Sequence, residues 1–345
     1  MEKKRLSNIE LLRIICILLI IISHVYTHTD WNGKLTGVKS AETQILAVWP
    51  RVAVNCFVLI TGYFNIASKY RVDKIIKLVK ERWLYSILAS SLAIICGGGV
   101  KINLSFMLKT IFPLLFCKHN YITSFIVLYL LMGFINKFVS VLSKHEYIII
   151  IFMLTIFLSV IPSSYSEFNY ISFSYLGYMI LLYLIGGYIN IYRINIRHKI
   201  ILLILGIVII ILLIVFPYLL YNISTYNWLT GVNNIVMLII AVLMFDIFLE
   251  INIKYNKFIN IISNSILGVY LIHDDLYMRN IIWNKFVIAD QYMHYKWYFL
   301  YIIIGSVAVF VSCIIIDKIF RIFILNHTLW CDRYLTDFIK KKVNC

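Results

Sequence analysis

The chain has 345 residues, of which 62% are hydrophobic and only 14% charged, and its mean hydropathy is +0.88. Soluble domains are about 45–50% apolar and about 25% charged, so a soluble globular enzyme is excluded and a polytopic membrane protein is indicated. The formal net charge of +16 would suggest nucleic-acid binding in a soluble protein. In a membrane protein it marks cytoplasmic loops, and no nucleic-acid partner is expected.

The first hydrophobic stretch carries Arg13 and His24. Ionisable groups inside a membrane helix are costly and mark functional sites. Their eleven-residue separation is about three turns, so both sit on one face about 16 Å apart. Arg13 snorkelling to an interface, with His24 as a helix end, is the alternative. Glu10 lies three residues before Arg13 and can pair with it. His28 follows His24 by one turn and reaches towards the outer interface. The basic start at Lys3, Lys4 and Arg5 resembles that of a signal peptide, but no small-residue cleavage site follows Ile22, so this stretch reads as a retained span.

The hydrophobic runs predict an all-α bundle of about ten spans, at 9–29, 45–66, 83–99, 122–142, 147–162, 175–192, 200–217, 229–250, 258–274 and 297–320. No hydrophilic stretch is long enough for a separate soluble domain, so residues 1–345 are expected to form one integral-membrane unit. The second span holds Arg51 and Asn55 one turn apart, with Arg51 as an interfacial anchor the alternative, then Thr61-Gly62, which admits close packing by another helix. Residues 69–82 form a basic segment in which, as a helix, Lys74, Lys77, Lys80 and Arg82 could meet phosphates; topogenesis and lipid headgroups are the competing explanation. Residues 97–99 are three glycines that end a span. The segment 104–117 is short and broken by Lys109 and Pro113, and reads as interfacial or re-entrant. The late segment from Ser263 to Asp275 places His273 at another span end, beside Asp274 and Asp275.

A cytoplasmic N-terminus puts 23 of the 32 basic residues inside, which favours ten spans with both termini cytoplasmic. The seven cysteines are scattered and form no CxxC pair. Neither a disulfide framework nor a zinc site is expected, and no metal is assigned. Walker, HExxH and GxSxG motifs are missing.

With these residues in hand, the chain resembles the acyltransferase 3 family of bacterial integral-membrane acyltransferases, whose members typically acylate cell-surface glycans. The resemblance rests on Asn8-Ile-Glu-Leu-Leu-Arg13 followed by His24, the family's Arg-x10-His pattern, and on Phe57-Val-Leu-Ile-Thr-Gly-Tyr-Phe64, similar to FxxSG[FY] with Thr for Ser. The basic segment after it, the stretch from Leu267 to His273 and the weaker run from Tyr121 to Asn136 add to it. Lys80-Glu-Arg82 is less arginine-rich than the family's version, no proline precedes Asn136 closely, and no hydrolase-like domain is appended.

The resemblance implies O-acyl transfer, most simply of acetyl, from acetyl-CoA to a hydroxyl of an extracytoplasmic polysaccharide or lipid-linked glycan at the cell membrane. His24 would be general base or transient acyl carrier, since an imidazole suits both roles. Arg13 would meet the donor's phosphates or its pantetheine arm. Lys77, Lys80 and Arg82 would add donor contacts. His273 would donate a hydrogen bond to the glycan or to a developing oxyanion. A transporter or flippase for a polysaccharide precursor, or a non-catalytic part of a polysaccharide assembly machine, are the rival classes.

Overall fold

The computed structural model describes residues 6–337 except 69–70, 117–119, 165–174, 195, 222–223, 232 and 329–333. Among the described residues every regular element is helical. The principal helices are α1 (Ser7–His28), α2 (Gly37–Ala47), α3 (Pro50–Asn65), α4 (Val72–Ile95), α5 (Leu104–Ile111), α6 (Asn120–Ser140) and α7 (Lys144–Thr155). They continue with α8 (Tyr175–Tyr192), α9 (Lys199–Tyr221), α10 (Ile235–Glu250), α11 (Lys257–Ser263), α12 (Ile266–His273) and α13 (Tyr298–Phe320).

Local chemistry sets several of the boundaries. Pro50 opens α3 at its first helical position, where a missing N–H costs nothing. Ser143 and Glu146 form a reciprocal capping box at the start of α7. The side chains of Asn234 and Asn256 accept from first-turn amides of α10 and α11. α4 ends at Ile95, and Gly97 follows at φ 65°, as the three glycines predict.

Seven helical stretches among the described residues are long and apolar enough to cross a membrane: Ser7–His28, Gly37–Asn65, Tyr121–Ser140, Lys144–Ser164, Tyr175–Tyr192, Lys199–Tyr221 and Tyr298–Thr328. They coincide with seven of the ten predicted spans. The other three predicted spans meet helices of a different kind. α4 carries Lys74, Lys77, Lys80, Glu81 and Arg82 in its first half. α10 has 16 residues, about 24 Å against a hydrocarbon core of about 30 Å. The predicted span 258–274 is broken at Asn264-Ser265 into α11 and α12.

The predicted second span is also interrupted, at Val48-Trp49 between α2 and α3. The predicted interfacial segment contains α5 and a turn after it; Cys117, its last residue, lies outside the described residues. Lys69, Cys331 and Cys345 do so too.

α3 lies at the centre, between α1, α8 and α10. Its contact with α8 depends on two glycines. A Cβ on Gly62 would run into the backbone of Tyr183, and one on Gly186 into the carbonyl of Leu59. The small residue at Gly62, noted in the sequence, is therefore where two backbones touch.

Candidate active site

α1 is the spine of the site. Arg13, Ile17, Ile20, His24, Thr27 and His28 recur at helical spacing and line one cavity of about 1370 Å³. From Arg13 to His28 that wall extends about 22 Å. Facing it are Tyr121, Phe125 and Tyr129, one turn apart along α6, together with Tyr175 of α8 and Tyr270 of α12. Phe57 and Thr61 of α3 also contribute.

At the Arg13 end the wall is basic. Lys74 and Lys77 of α4 lie there with Lys318 and Arg321 from the end of α13. Lys74 Nζ donates to Asn65 Oδ1 at 3.3 Å, which ties the C-terminus of α3 to this end. Lys77 and Arg321 approach Glu81 at 3.9 and 3.6 Å. Arg321 also pairs with the buried Asp317 at 2.9 Å, and Asp317 accepts from the hydroxyl of Tyr85. Arg13 Nη1 stands 3.7 Å from Glu10, the pair anticipated from their spacing. Glu10 in turn accepts from the hydroxyl of Ser263, in α11.

At the other end three imidazoles and a carboxylate converge. The ring centroids of His24 lie 4.6 Å from those of His28 and 5.1 Å from His273. His24 Nδ1 and His28 Nε2 are each 3.6 Å from Asp274 Oδ1. That is ion-pairing distance, longer than a hydrogen bond. Arg279 holds the same oxygen, with Nη2 at 2.8 Å and Nε at 3.0 Å. Trp283, fully buried, sets its ring edge-on to His24 at 6.4 Å.

His273 is fully buried and does not line the cavity. Its Nδ1 lies 2.7 Å from the carbonyl of Val269. A carbonyl only accepts, so Nδ1 carries the proton and Nε2 is the open nitrogen of the neutral ring.

His24, His28 and Asp274 offer ligand atoms within 4.8 Å of one another, a donor set that suits a transition metal. The guanidinium of Arg279 on the same carboxylate oxygen works against a divalent ion there. Asp274 is thus better matched to a cationic side chain or to an imidazolium than to a metal.

The predicted site residues separate into two groups. Arg13, Lys77 and His24 line the cavity, and His273 backs it. Lys80 and Arg82 do not line it. Lys80 Nζ donates to the carbonyl of Thr328 at 3.1 Å. Arg82 is fully buried and its charge faces that of Asp275. The charges of α4 that face the cavity are those of Lys74, Lys77 and Glu81, on the opposite helical register.

Sequence reasoning placed His28 at an interface and Asp274 beside His273. The structure puts both against His24. Within the run from Tyr121 to Asn136, the i, i+4, i+8 spacing of Tyr121, Phe125 and Tyr129 carries the signal of this aromatic stripe. Lys318 and Arg321, one turn apart after Asp317, carry no sequence signal beyond their place among the basic residues of the inner side.

Neither a curated protein nor a solved structure matches the chain. The profile of a family described as an acyltransferase domain matches residues 6–318, nearly the whole chain and both ends of the cavity. A helical membrane-type protein with this cavity and this match belongs to the acyltransferase 3 family.

Proposed function

We propose that this protein is an O-acyltransferase of a bacterial cell membrane. It moves an acyl group, most simply acetyl, from a cytoplasmic coenzyme A thioester to a hydroxyl of a cell-surface polysaccharide or its lipid-linked precursor. The observation that carries the reading is the continuous cavity from a basic end to an imidazole cluster along one face of α1. Acetyl-CoA is a polyanionic co-substrate, and the Arg13 end offers Lys74, Lys77, Lys318 and Arg321 to its phosphates. From Arg13 the wall runs about 16 Å to His24, a reach that suits an extended pantetheine arm. Ten spans with both termini cytoplasmic accord with this polarity, since they put the Arg13 end on the donor's side.

In this reading His24 takes the proton from the acceptor hydroxyl as the oxygen attacks the thioester carbonyl. The C–O bond forms, the C–S bond breaks, and the thiolate of coenzyme A recovers the proton. Asp274, 3.6 Å from Nδ1, stabilises the imidazolium formed in between. The glycan and the surrounding lipids are the only partners this chemistry requires, and no metal takes part in it.

The test is base-labile acetate on the surface polysaccharide of cells with and without the gene, paired with transfer from radiolabelled acetyl-CoA by purified protein. Ester that depends on the gene and on His24 supports the reading. Unchanged ester with altered export would favour a transporter. Donor binding should weaken as salt rises, and a Lys74→Gln/Lys77→Gln double variant should bind more weakly at low salt with a shallower salt dependence.

A further inference from the structure

Arg51 is the cation the transfer scheme leaves unused. It is the second residue of α3 and lines the cavity at the end where His28 and Arg279 lie. Its Nε donates to the carbonyl of Thr230 at 2.8 Å. Among the described residues no carboxylate stands within ion-pairing distance of it. Asp274, the acidic residue lining this end, is already held by Arg279 at 2.8 Å. A half-buried guanidinium matched by a carbonyl and the hydroxyl of Tyr175, with no carboxylate to balance its charge, is costly in a low-dielectric cavity.

The surroundings fit a sugar bearing a negative charge. Thr27, Asn227 and Thr230 line the cavity beside Arg51 and supply the kind of groups that hydrogen-bond hydroxyls. The start of α3 adds the positive end of a 16-residue helix whose N-cap residue, Trp49, gives no side-chain acceptor. The donor's phosphates do not explain Arg51. Their cations lie at the other end of the cavity, about three to four turns of α1 away.

We infer that Arg51 is the binding residue for an anionic group, a phosphate ester or a carboxylate, on the acceptor glycan. The acceptor is thus a glycosyl phosphate or a uronate-containing sugar rather than a neutral one. A planar guanidinium binds either group in two-point fashion. The inference deepens the transfer reading and rests on it for the word acceptor, but the binding itself can be measured without transfer.

The experiment uses purified full-length protein in lipid nanodiscs, with no donor present. Binding of a hexose 1-phosphate, a methyl hexuronide and a neutral methyl hexoside is measured for wild type, Arg51→Gln and Arg51→Lys. The expected result is preference for an anionic sugar in wild type, at least tenfold loss in Arg51→Gln, partial retention in Arg51→Lys, and no change for the neutral sugar. Retained acetyl-CoA binding shows that the variant is folded.

If the hexose 1-phosphate binds tighter, the acceptor is a glycosyl phosphate; if the hexuronide does, it is a uronate. Equal binding of anionic and neutral sugars by wild type, or equal anion binding by wild type and Arg51→Gln, overturns the inference. With acetyl-CoA added, KM for the anionic acceptor should rise in Arg51→Gln while KM for acetyl-CoA stays fixed. If no acceptor is acylated by wild type, the transfer reading fails, while the binding result still decides the role of Arg51.

Discussion

Replacing Asp274 by Asn removes the charge opposite His24 and also strips Arg279 of its partner. The two effects can be separated. Asp274→Asn should lower kcat by roughly a hundredfold or more, the usual scale for a group that supports a general base. Asp274→Asn/Arg279→Gln should recover protein abundance without recovering kcat. Recovery of kcat in the double variant would show that Asp274 serves only to neutralise Arg279. His24→Ala should abolish transfer at near-normal abundance, and Arg13→Lys should fall well short of wild type because an ammonium lacks the guanidinium fork.

His273 calls for a different experiment from the one its sequence position suggests. Its burial behind the cavity wall and its Val269 contact place it behind His24, so the transfer scheme would use it to position that ring. His273→Gln should keep a large share of activity and His273→Ala little, with KM for both substrates near wild type and kcat carrying the loss. A rise in acceptor KM alone would restore the direct contact expected from sequence.

At the scale of elements, two backbones in contact leave little room for adjustment. Gly62→Leu would drive a side chain into the Tyr183 backbone of α8. Overpacking of that kind costs about 1–3 kcal/mol or more, so the purified variant should unfold at lower temperature and accumulate poorly. Gly206→Ala is the control. A Cβ there meets only the side chain of Ile240, at 3.2 Å, which can give way. Equal stability of the two variants would deny the close approach.

Helix periodicity explains what could be read in advance and what could not. The shared face of Arg13 and His24 follows from local geometry alone, and the Glu10 pair from a three-residue spacing. The break at Val48-Trp49 is marked only by Pro50, and the one at Asn264-Ser265 only by the short polar run Ser263-Asn-Ser265, each set between hydrophobic stretches that otherwise read as one span. The meeting of His28 with Asp274 depends on how α12 packs against α1, a contact between segments almost 250 residues apart that no spacing rule reports. Arg82 and Lys77 looked alike as cations; which of them faces the cavity is set by the rotation of α4 against its neighbours.

For the whole molecule, the orientation of the basic end is the property to measure. Reporter fusions after Lys144, Lys199 and Lys257 should all report the cytoplasm if both termini are inside. A fusion after Lys257 that reports the outside would break the ten-span scheme and would also reverse the side from which the donor enters.

The single cavity-facing stripe of α1 also makes that helix a ruler. Arg13 and His24 keep their separation and their bearing only while eleven residues of unbroken helix connect them. One alanine inserted after Leu18 would turn His24 by about 100° away from the cavity while raising it only about 1.5 Å. Seven inserted residues would return it to within about 20° of its old bearing but displace it by about 10 Å. The first insertion keeps the distance and loses the direction, and the second does the reverse. Comparing them would tell whether catalysis is limited by the aim of the imidazole or by the length of the arm that must reach it.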